Sequence, residues 1–391
     1  MSRTKQHPTQ HFVRYRAEVE RGDPTFEQTL QTLIATTKQY VADSVAEEGI
    51  GQAVRDAHAK AYGLARAELE ILDGLPTPYA QGIYATPGRH EALIRFSSGS
   101  AHTGPDAQLG NAAGIGLKLF GITGPTLLED EPDSGTFDYA MINAPIFFVN
   151  SAQHYISLQH VFLQLGKAPP PNHTPAAAKA RFHHVLYDFL TGLGTLPPEE
   201  WYWDEFLALV SFVHYIKPVN LLLSTYWTMA AVRHGAYIAK VRVAPVRAFA
   251  DQVVRHSLDS SSAPEVFRPA LVAELQERPY EFDVQVQLCT DLDRMPVEEP
   301  TVEWPEALSP FVTVAKLRLP QQNINGQENL RQADAVSFTP WRSTEEHRPL
   351  GSIMRARKEV YRQSSLLRHQ LNHQVRKEPK NLAEVFGAQV R

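Results

Sequence analysis

Two groups of alternating polar and apolar residues constrain the fold of this chain more than any other feature. The first group contains the segments ARAELEIL (65–72), EALIRFSS (91–98), AGIGLKLFG (113–121) and FDYAMIN (137–143). The second group contains GAYIAKVRVAP (235–245), EFDVQVQLC (281–289), FVTVAKLRLP (311–320) and ADAVSF (333–338). Alternation with a period of two is typical of β-strands, so we expect about eight strands.

Helical periodicity marks two other regions. The segment TFEQTLQTLIATTKQYVADSVAEEG (25–49) predicts an N-terminal helical region over residues 1–50. A second helical block lies between the groups of strands, within about 151–230, where Thr174 is the expected cap and Pro175 the first helical residue. Because the strands do not alternate with helices, we expect an α+β fold with an antiparallel sheet or closed barrel and surrounding helices. A pocket inside or against that barrel is the expected ligand site.

Composition excludes several classes of protein. A chain of 391 residues that is 43% hydrophobic can bury one large core or two modest ones. Its net charge of -5 gives no general attraction to nucleic acid or to an anionic membrane. The single cysteine, Cys289, excludes an internal disulfide. The first residues have no apolar leader and the run VNLLLSTYWTMAAV is too short to cross a bilayer, so we expect a cytoplasmic protein with no membrane span.

The segment RARKEVYRQSSLLRHQLN (355–372) places a tyrosine between two arginines on one helical face. At about 100° per residue, Arg357, Tyr361, Arg368 and Asn372 lie at roughly 0°, 40°, 20° and 60°. A phenol with an ordinary pKa near 10 is neutral at pH 7, and an adjacent guanidinium group favours its phenolate form. Taken alone, the segment is also typical of an arginine-rich helix with a solvated face.

A charged side chain also occurs within an otherwise apolar strand. In IRFSSGS (94–100), Arg95 and Ser97 point to one side of the strand, while the apolar residues between them point to the other. A buried arginine needs an anionic partner, such as the carboxylate or phosphate group of a ligand. An arginine on a solvent-exposed face of the sheet would give the same pattern.

A histidine precedes the first strand. In VRDAHAKAYG (54–63), Arg55 lies three residues before His58. The ordinary pKa of imidazole is close to neutral pH, so His58 is a candidate general acid and base. A structural or surface histidine is the alternative interpretation of this segment alone.

Taken together and in order, these segments resemble the catalase family. VRDAHAKAYG is similar to the distal motif R-x-x-H-A-x-x-x-G, and RFS at 95–97 is similar to the next family segment. GIGLKLF (114–120) resembles the family's glycine-led strand, and FDYAMINAPIFF (137–148) resembles D-x-x-x-N-N-x-P-x-F-F. The segment 357–372 matches the proximal pattern R-x-x-x-Y-x6-R-x-x-x-N, and FTP at 338–340 occupies the place of F-D-P. The likeness spans roughly residues 55–372 and is diffuse between about 151 and 235.

The resemblance implies an eight-stranded antiparallel catalase-like β-barrel and a division into regions. Residues 1–50 would form an N-terminal helical extension, and residues 51–375 a haem-binding barrel. The barrel would include inserted helices at about 151–230 and a proximal haem helix at about 350–373. Residues 376–391 would form a C-terminal tail, with no room for the flavodoxin-like domain of large catalases.

The same resemblance implies a haem b cofactor. Tyr361 would be the proximal ligand of the haem iron as a phenolate, and Arg357 would keep it deprotonated. The family's propionate-binding arginines and aromatic porphyrin contacts correspond to Arg55, Arg95, Arg368, Phe147 and Tyr155.

On the opposite face of the haem, the resemblance makes His58 the acid and base that cleaves the O–O bond of a peroxide, with Ser97 steadying it. The family's two adjacent asparagines correspond here to Ile142 and Asn143. Either a local shift lets Asn143 act at the distal site, or the distal pocket is more apolar and suits an organic hydroperoxide.

The function implied is a haem peroxidase or catalase-like oxidoreductase of the oxidative stress response. One alternative is a hydroperoxide isomerase of the allene oxide synthase type, which needs a long apolar channel. Others are a haem-binding or sensing protein without activity and a haem-free barrel. The tetramer and NADPH binding of large catalases are not carried over, although a homo-oligomer stays open.

Overall fold

The computed structural model describes residues 11–164, 174–253 and 257–387, so the ends of the chain and part of the expected inserted region lie outside the described residues. The helices are α1 Phe26–Glu47, α2 Asp106–Leu109, α3 Ala152–Gln164, α4 Pro175–Leu190, α5 Trp203–Phe212, α6 Arg247–Ala250, α7 Phe267–Glu277, α8 Gln327–Ala335, α9 Ser352–Leu371 and α10 Leu382–Phe386. The strands are β1 Ala61–Ile71, β2 Gly88–Ser98, β3 Ala113–Phe120, β4 Thr136–Ile142, β5 Tyr226–Trp227, β6 Val232–His234, β7 Tyr237–Pro245, β8 Tyr280–Leu288 and β9 Val312–Leu319.

The strands close into a barrel. Neighbouring strands pair in the order β5-β4-β3-β2-β1-β9-β8-β7, and β5 also pairs with β7, which completes a ring of eight antiparallel strands. Strand β6 forms a hairpin with β7 outside this ring. Full closure leaves no unpaired sheet edge in the ring. The expected α+β fold with an eight-stranded antiparallel barrel and surrounding helices is confirmed.

One expected strand is wrong, and the barrel is completed by another. The segment 333–338 does not form a strand, because residues up to Ala335 continue α8 and the rest is a loop. The eighth strand is instead β5, in which Tyr226 is paired with Val243 and Trp227 with Arg242. A strand of two residues is too short to show alternation in the sequence.

The interior of the barrel is filled with apolar side chains. On β2 and β3, Ile94, Phe96 and Ile115 belong to the main apolar cluster. The alternate residues, which include Arg95 and Gly114, therefore face the outer wall of the barrel. In the part of the chain that the structure describes, this cluster fills the interior, so the expected ligand site is to be sought against the outer wall of the barrel.

Helices cover this outer wall. The expected N-terminal helix α1 packs on α9 through Leu33, Ile34, Ala356 and Val360. Helix α4 begins as expected, because the Thr174 side chain accepts a hydrogen bond from the backbone N–H of Ala177 at 3.2 Å. Within the described residues, no helix is long and apolar enough to cross a bilayer. The division into regions 1–50, 51–375 and 376–391 remains a proposal.

Candidate functional site

A large cavity lies between the outer wall of β2–β4 and the helices α9, α3 and α5. Its empty volume is about 1620 Å³, including the mouth that opens to solvent. The expected site residues that line it are Arg55, His58, Arg95, Ser97, Phe147, Tyr155, Arg357, Tyr361 and Arg368. Asn143 does not line the cavity.

On α9, an arginine and a tyrosine one turn apart are hydrogen-bonded at the cavity wall. Nη2 of Arg357 donates to the phenol oxygen of Tyr361 at 2.5 Å. The same guanidinium group lies 4.8 Å from the centre of the Tyr361 ring. Arg357 itself is buried. Because a phenol oxygen can bind a metal cation, Tyr361 is the candidate ligand at this wall of the cavity.

Three arginines converge on one stretch of backbone, residues 333–336. Nη2 of Arg55 donates to the carbonyl oxygen of Asp334 at 3.0 Å, and Nε of Arg95 donates to that of Ala333 at 3.0 Å. Nη1 of Arg368 donates to the Asp334 carbonyl at 2.8 Å. The Asp334 carboxylate lies 3.2 Å from Arg55 and 3.4 Å from Arg95. The segment that the sequence pattern misassigned as a strand therefore holds this cluster together.

The cluster carries more positive than negative charge. The Asp334 carboxylate accepts hydrogen bonds from Arg55 and Arg95 but not from Arg368, and its side chain is 48% exposed. Burial and repulsion from Arg55 lower the pKa of Arg95 to about 9. Burial and neighbouring arginines also hold the pKa of Arg368 well below its ordinary value. A ligand with two carboxylate groups would supply the missing negative charge.

His58 is held in an unusual backbone conformation. Its φ of 57° is in the left-handed region, which costs a non-glycine residue about 1–2 kcal/mol. Nη1 of Arg95 stabilises this conformation by donating to the His58 carbonyl oxygen at 3.0 Å. The imidazole packs directly on Gly114 of β3, where any Cβ would overlap with the ring. Strain of this kind is typical of functional sites.

The hydrogen bonds of His58 determine which nitrogen carries the hydrogen. Nδ1 lies 2.7 Å from the carbonyl oxygen of Ser98, which can only accept, so Nδ1 is protonated and Nε2 presents a lone pair. The hydroxyl of Ser97 lies 3.2 Å from the same Nδ1. Burial, reinforced by Arg95, lowers the pKa of His58 to about 4. The imidazole is therefore neutral at pH 7 and can accept a proton at Nε2.

Asn143 lies outside the cavity lining because its side chain is engaged elsewhere. Its Oδ1 accepts from the backbone N–H of Ala113 at 2.9 Å, and its Nδ2 donates to the carbonyl of Asn111 at 3.2 Å. Ile142, the last residue of β4, lines the cavity instead. The geometry corresponds to the more apolar of the two alternatives that the sequence left open.

A buried carboxyl group in the cavity wall was not expected. Asp56 accepts hydrogen bonds from Ser364 of α9 at 2.8 Å and from Thr37 of α1 at 3.3 Å. Burial raises the pKa of this carboxyl group. Nothing in the sequence distinguishes Asp56 from an exposed loop residue, although it follows Arg55 and lies two residues before His58.

The end of the cavity near α3 and α5 is apolar. Phe148 packs on Phe162 of α3 and on Phe212 of α5, with ring centroids 5.3 and 4.4 Å apart. Leu209 of α5 also lines this end. Phe162, Leu209 and Phe212 were missed because they lie where the resemblance is diffuse, although Tyr155 of α3 was expected. Among the described residues, no group of three His, Cys, Asp or Glu side chains is arranged to hold a bare metal ion.

Comparison with known proteins identifies the fold. No family model matches the sequence, and none of the curated proteins matches it significantly. Among solved structures, a fungal catalase has a TM-score of 0.59 at 15% identity, over 98% of this chain and 73% of its own. Catalase A from Saccharomyces cerevisiae has a TM-score of 0.61 at 17% identity, and the match covers 98% of this chain and 76% of that catalase. A bacterial catalase has a TM-score of 0.57 at 16% identity, and the match covers 81% of this chain and 57% of that catalase. The chain therefore has a catalase-like fold.

Proposed function

We propose that this protein binds haem b in the cavity and cleaves peroxides as a catalase-related oxidoreductase. The observation that carries the proposal is that one cavity contains a tyrosine paired with a buried arginine, a neutral histidine and three converging arginines. If these residues had unrelated roles, we would expect them to lie on different surfaces of the protein. A cytoplasmic role in the oxidative stress response belongs to the same proposal.

The residues of the cavity fit a haem. Tyr361 would bind the iron through its phenol oxygen, with Arg357 balancing the negative charge. The surplus positive charge of Arg55, Arg95 and Arg368 suits two propionate groups. When bound, the haem supplies the iron at which a peroxide is activated for cleavage of its O–O bond.

Two aromatic rings offer a flat apolar contact for the macrocycle. The rings of Phe147 and Tyr155 are stacked, with centroids 5.9 Å apart and planes inclined by 23°. Phe147 is 6% exposed, so its ring is already desolvated before any ligand enters. Rings in this arrangement bind flat apolar ligands by stacking.

His58 performs the proton transfer in this proposal. Its Nε2 accepts a proton from the bound peroxide and returns it to the leaving oxygen, so that water or an alcohol departs. The hydrogen bond from Nδ1 to Ser98 and the packing on Gly114 fix the ring in the productive orientation. A positioned general acid and base contributes about 10²- to 10⁴-fold to the rate.

Ile142 favours an organic hydroperoxide over hydrogen peroxide. A branched alkyl side chain in place of an amide removes a hydrogen-bond donor from the cavity wall and adds apolar surface. Hydrogen peroxide has no apolar part that could use this surface, whereas an alkyl hydroperoxide does. Asn143 takes no part, because both polar atoms of its side chain bond to backbone.

A second candidate is isomerisation of a fatty acid hydroperoxide. The apolar end of the cavity, formed around Phe148, Phe162 and Phe212, favours this alternative because an isomerase needs a channel for an alkyl chain. Product analysis separates the two functions. A peroxidase releases the alcohol and consumes an electron donor, whereas an isomerase yields a rearranged product without a donor.

The propionate contacts provide a test of cofactor binding. Haem and its dimethyl ester, which lacks both negative charges, are titrated separately into the apoprotein. We expect the wild-type protein to bind haem at least about tenfold more tightly than the ester, and Arg95→Leu to lose most of this difference. Arg89→Leu, on the same strand but in exposed ion pairs, is the matched control and should behave as wild type. Equal affinity for haem and ester in the wild-type protein would contradict the assignment of the arginines.

A further inference from the structure

Helix α5 carries apolar side chains on its solvent side as well as on its cavity side. Trp203, Leu207 and Val210 follow each other at helical spacing and are 51%, 59% and 51% exposed. Val213, just beyond the helix, is 63% exposed. Exposed large apolar side chains that lie together are uncommon on a surface helix, even though α5 also exposes Asp204 and Ser211.

Aromatic side chains extend this face to α4. Ring centroids are 6.3 Å apart for Tyr187 and Trp201, 6.0 Å for Trp201 and Trp203, and 6.3 Å for Trp203 and Phe206. Phe182 of α4 is 48% exposed as well. We call the surface formed by these residues together with Leu207, Val210 and Val213 the α4–α5 face. Tyrosine and tryptophan are the residues enriched where proteins meet the boundary between lipid and water.

The charges around the α4–α5 face are of both signs. No Asp, Glu, Lys or Arg occurs from Phe206 to Ile216. The exposed charged residues at its edge are Lys179, Lys217, Glu199, Glu200 and Asp204. Two of these charges are positive and three are negative, so they give no net attraction to anionic lipid, and binding through the apolar side chains suits a surface of zwitterionic head groups.

The α4–α5 face is continuous with the cavity. Leu209 and Phe212 lie on the inner side of α5 and line the apolar end of the cavity, while Phe206 lies between them and the exposed stripe. Helix α5 therefore has apolar side chains towards the cavity and towards solvent. An apolar molecule that leaves a lipid surface would find apolar side chains on both sides of this helix.

We propose that the α4–α5 face docks on a lipid surface with zwitterionic head groups and that an acyl-chain hydroperoxide from that surface enters the apolar end of the cavity. The part about the substrate rests on the proposed function. The part about docking does not, because it depends on the exposed side chains of α4 and α5 alone. Docking of this kind is peripheral and requires no membrane span.

Vesicle flotation tests the docking. The full-length protein, prepared without added haem, is mixed with vesicles of dioleoylphosphatidylcholine and centrifuged in a density gradient. We expect the wild-type protein to float, and Leu207→Glu and Val210→Glu each to lower the fraction bound by about tenfold. Val375→Glu, at an 89% exposed site outside the α4–α5 face, is the matched control and should float like wild type. Adding phosphatidylserine should not strengthen binding by more than about twofold.

Three results would overturn the docking. One is a wild-type protein that fails to float, and another is a Leu207→Glu variant that floats as well as the wild-type protein. In the third, no vesicle binding occurs and analytical ultracentrifugation shows a dimer that Leu207→Glu dissociates, because the α4–α5 face would then be an interface between two copies of this chain.

A rate comparison tests the link to the substrate. The holoprotein is assayed with a phosphatidylcholine hydroperoxide in vesicles, with free linoleic acid hydroperoxide and with tert-butyl hydroperoxide in solution. We expect Leu207→Glu to lower the first rate about tenfold and to leave the tert-butyl hydroperoxide rate unchanged. An equal loss of rate with the phosphatidylcholine hydroperoxide and with tert-butyl hydroperoxide would contradict delivery from a lipid surface. If no hydroperoxide is cleaved although the protein floats, the proposed function fails while the docking stands.

Discussion

Nη2 of Arg357 lies 2.5 Å from the phenol oxygen of Tyr361, one turn further along α9. Both side chains reach the cavity, and the arginine is almost completely buried. A hydrogen bond from a charged donor is shorter and stronger than one between neutral groups, so it holds the phenol oxygen in place at the cavity wall. This pair is the part of the site on which the assignment of a haem ligand depends.

Replacing Arg357 with leucine should weaken the retention of haem. The substitution removes the cation that compensates the ligand oxygen, and a hydrogen bond to a charged group is worth about 1.5–3 kcal/mol. We expect dissociation of haem to apomyoglobin to become at least about tenfold faster. Arg362→Leu is the control, since Arg362 follows Tyr361 but forms an ion pair with Asp130 at the surface. A similar loss in Arg362→Leu would show that the effect comes from the helix and not from the pair.

The rate of peroxide cleavage should be independent of pH over the range where His58 is neutral. Because burial and nearby arginines lower the pKa of His58 to about 4, the imidazole loses its proton above that pH. We expect kcat/KM to be constant from about pH 8 to about pH 5 and to fall to half near pH 4. A midpoint near 6.5, the ordinary pKa of histidine, would contradict the buried and neutral imidazole.

Asp56→Asn should stabilise the protein at pH 7. Burial raises the pKa of Asp56 above its ordinary value, so the folded state keeps the proton at a pH where the unfolded chain has lost it. The stability that the protonated Asp56 carboxyl group contributes is therefore present below its pKa in the unfolded chain and is lost as pH rises through its pKa in the folded state. Asparagine has no proton to lose in this range, and its side-chain oxygen can still accept a hydrogen bond from Ser364.

Urea unfolding measures the effect. We expect the free energy of unfolding of Asp56→Asn to exceed that of wild type at pH 7 and the difference to shrink towards pH 4. Asp43→Asn, an exposed position on α1, is the control. A variant that is less stable than wild type at pH 7 would show that the ionised carboxylate is needed there.

Glu378→Ala should destabilise the barrel although it lies in the C-terminal region. Its carboxylate lies 2.5 Å from Nζ of Lys118 and 3.1 Å from Nη2 of Arg342, both of which are fully buried. Lys118 keeps its ion pair with Asp138, and Arg342 keeps those with Asp138 and Glu131, so neither cation is left uncompensated. We therefore expect urea unfolding to show a loss of about 1.5–3 kcal/mol, the value of a hydrogen bond to a charged group, and not the larger cost of a buried charge without a partner. Glu384→Ala, an exposed control six residues further on, should unfold at nearly the same urea concentration as wild type.

The fold was predictable wherever elements were long enough to show their period. Strand β2 and helix α9 have 11 and 20 residues, and each was expected from its pattern. Strand β5 has only two residues and was missed. The segment 333–338 alternates like a strand, but its alanines continue α8 and its carbonyl groups are hydrogen-bonded to the arginine cluster. Such tertiary contacts are invisible in local sequence.

Site residues that belong to a sequence motif could be predicted, whereas site residues that reach the cavity only through packing of the helices could not. The arginines, His58 and Tyr361 were found because their spacing matches a family pattern, and the cavity brings them together. Asn143 was expected at the cavity because the pattern could not show that its amide is hydrogen-bonded to backbone. Asp56 and Phe212 were missed because burial of a loop carboxyl group and the apolar end of a cavity arise only from the assembled helices.

The most direct test of the account is the ultraviolet-visible spectrum of the protein expressed with added haem, compared between wild type and Tyr361→Phe. For wild type, we predict one haem per chain and a high-spin ferric spectrum that changes when an organic hydroperoxide is added. In Tyr361→Phe, removal of the phenol oxygen should abolish this spectrum while the far-ultraviolet circular dichroism stays unchanged. A wild-type protein that folds but binds no stoichiometric haem, or a Tyr361→Phe protein with an unaltered haem spectrum, would contradict the central claim.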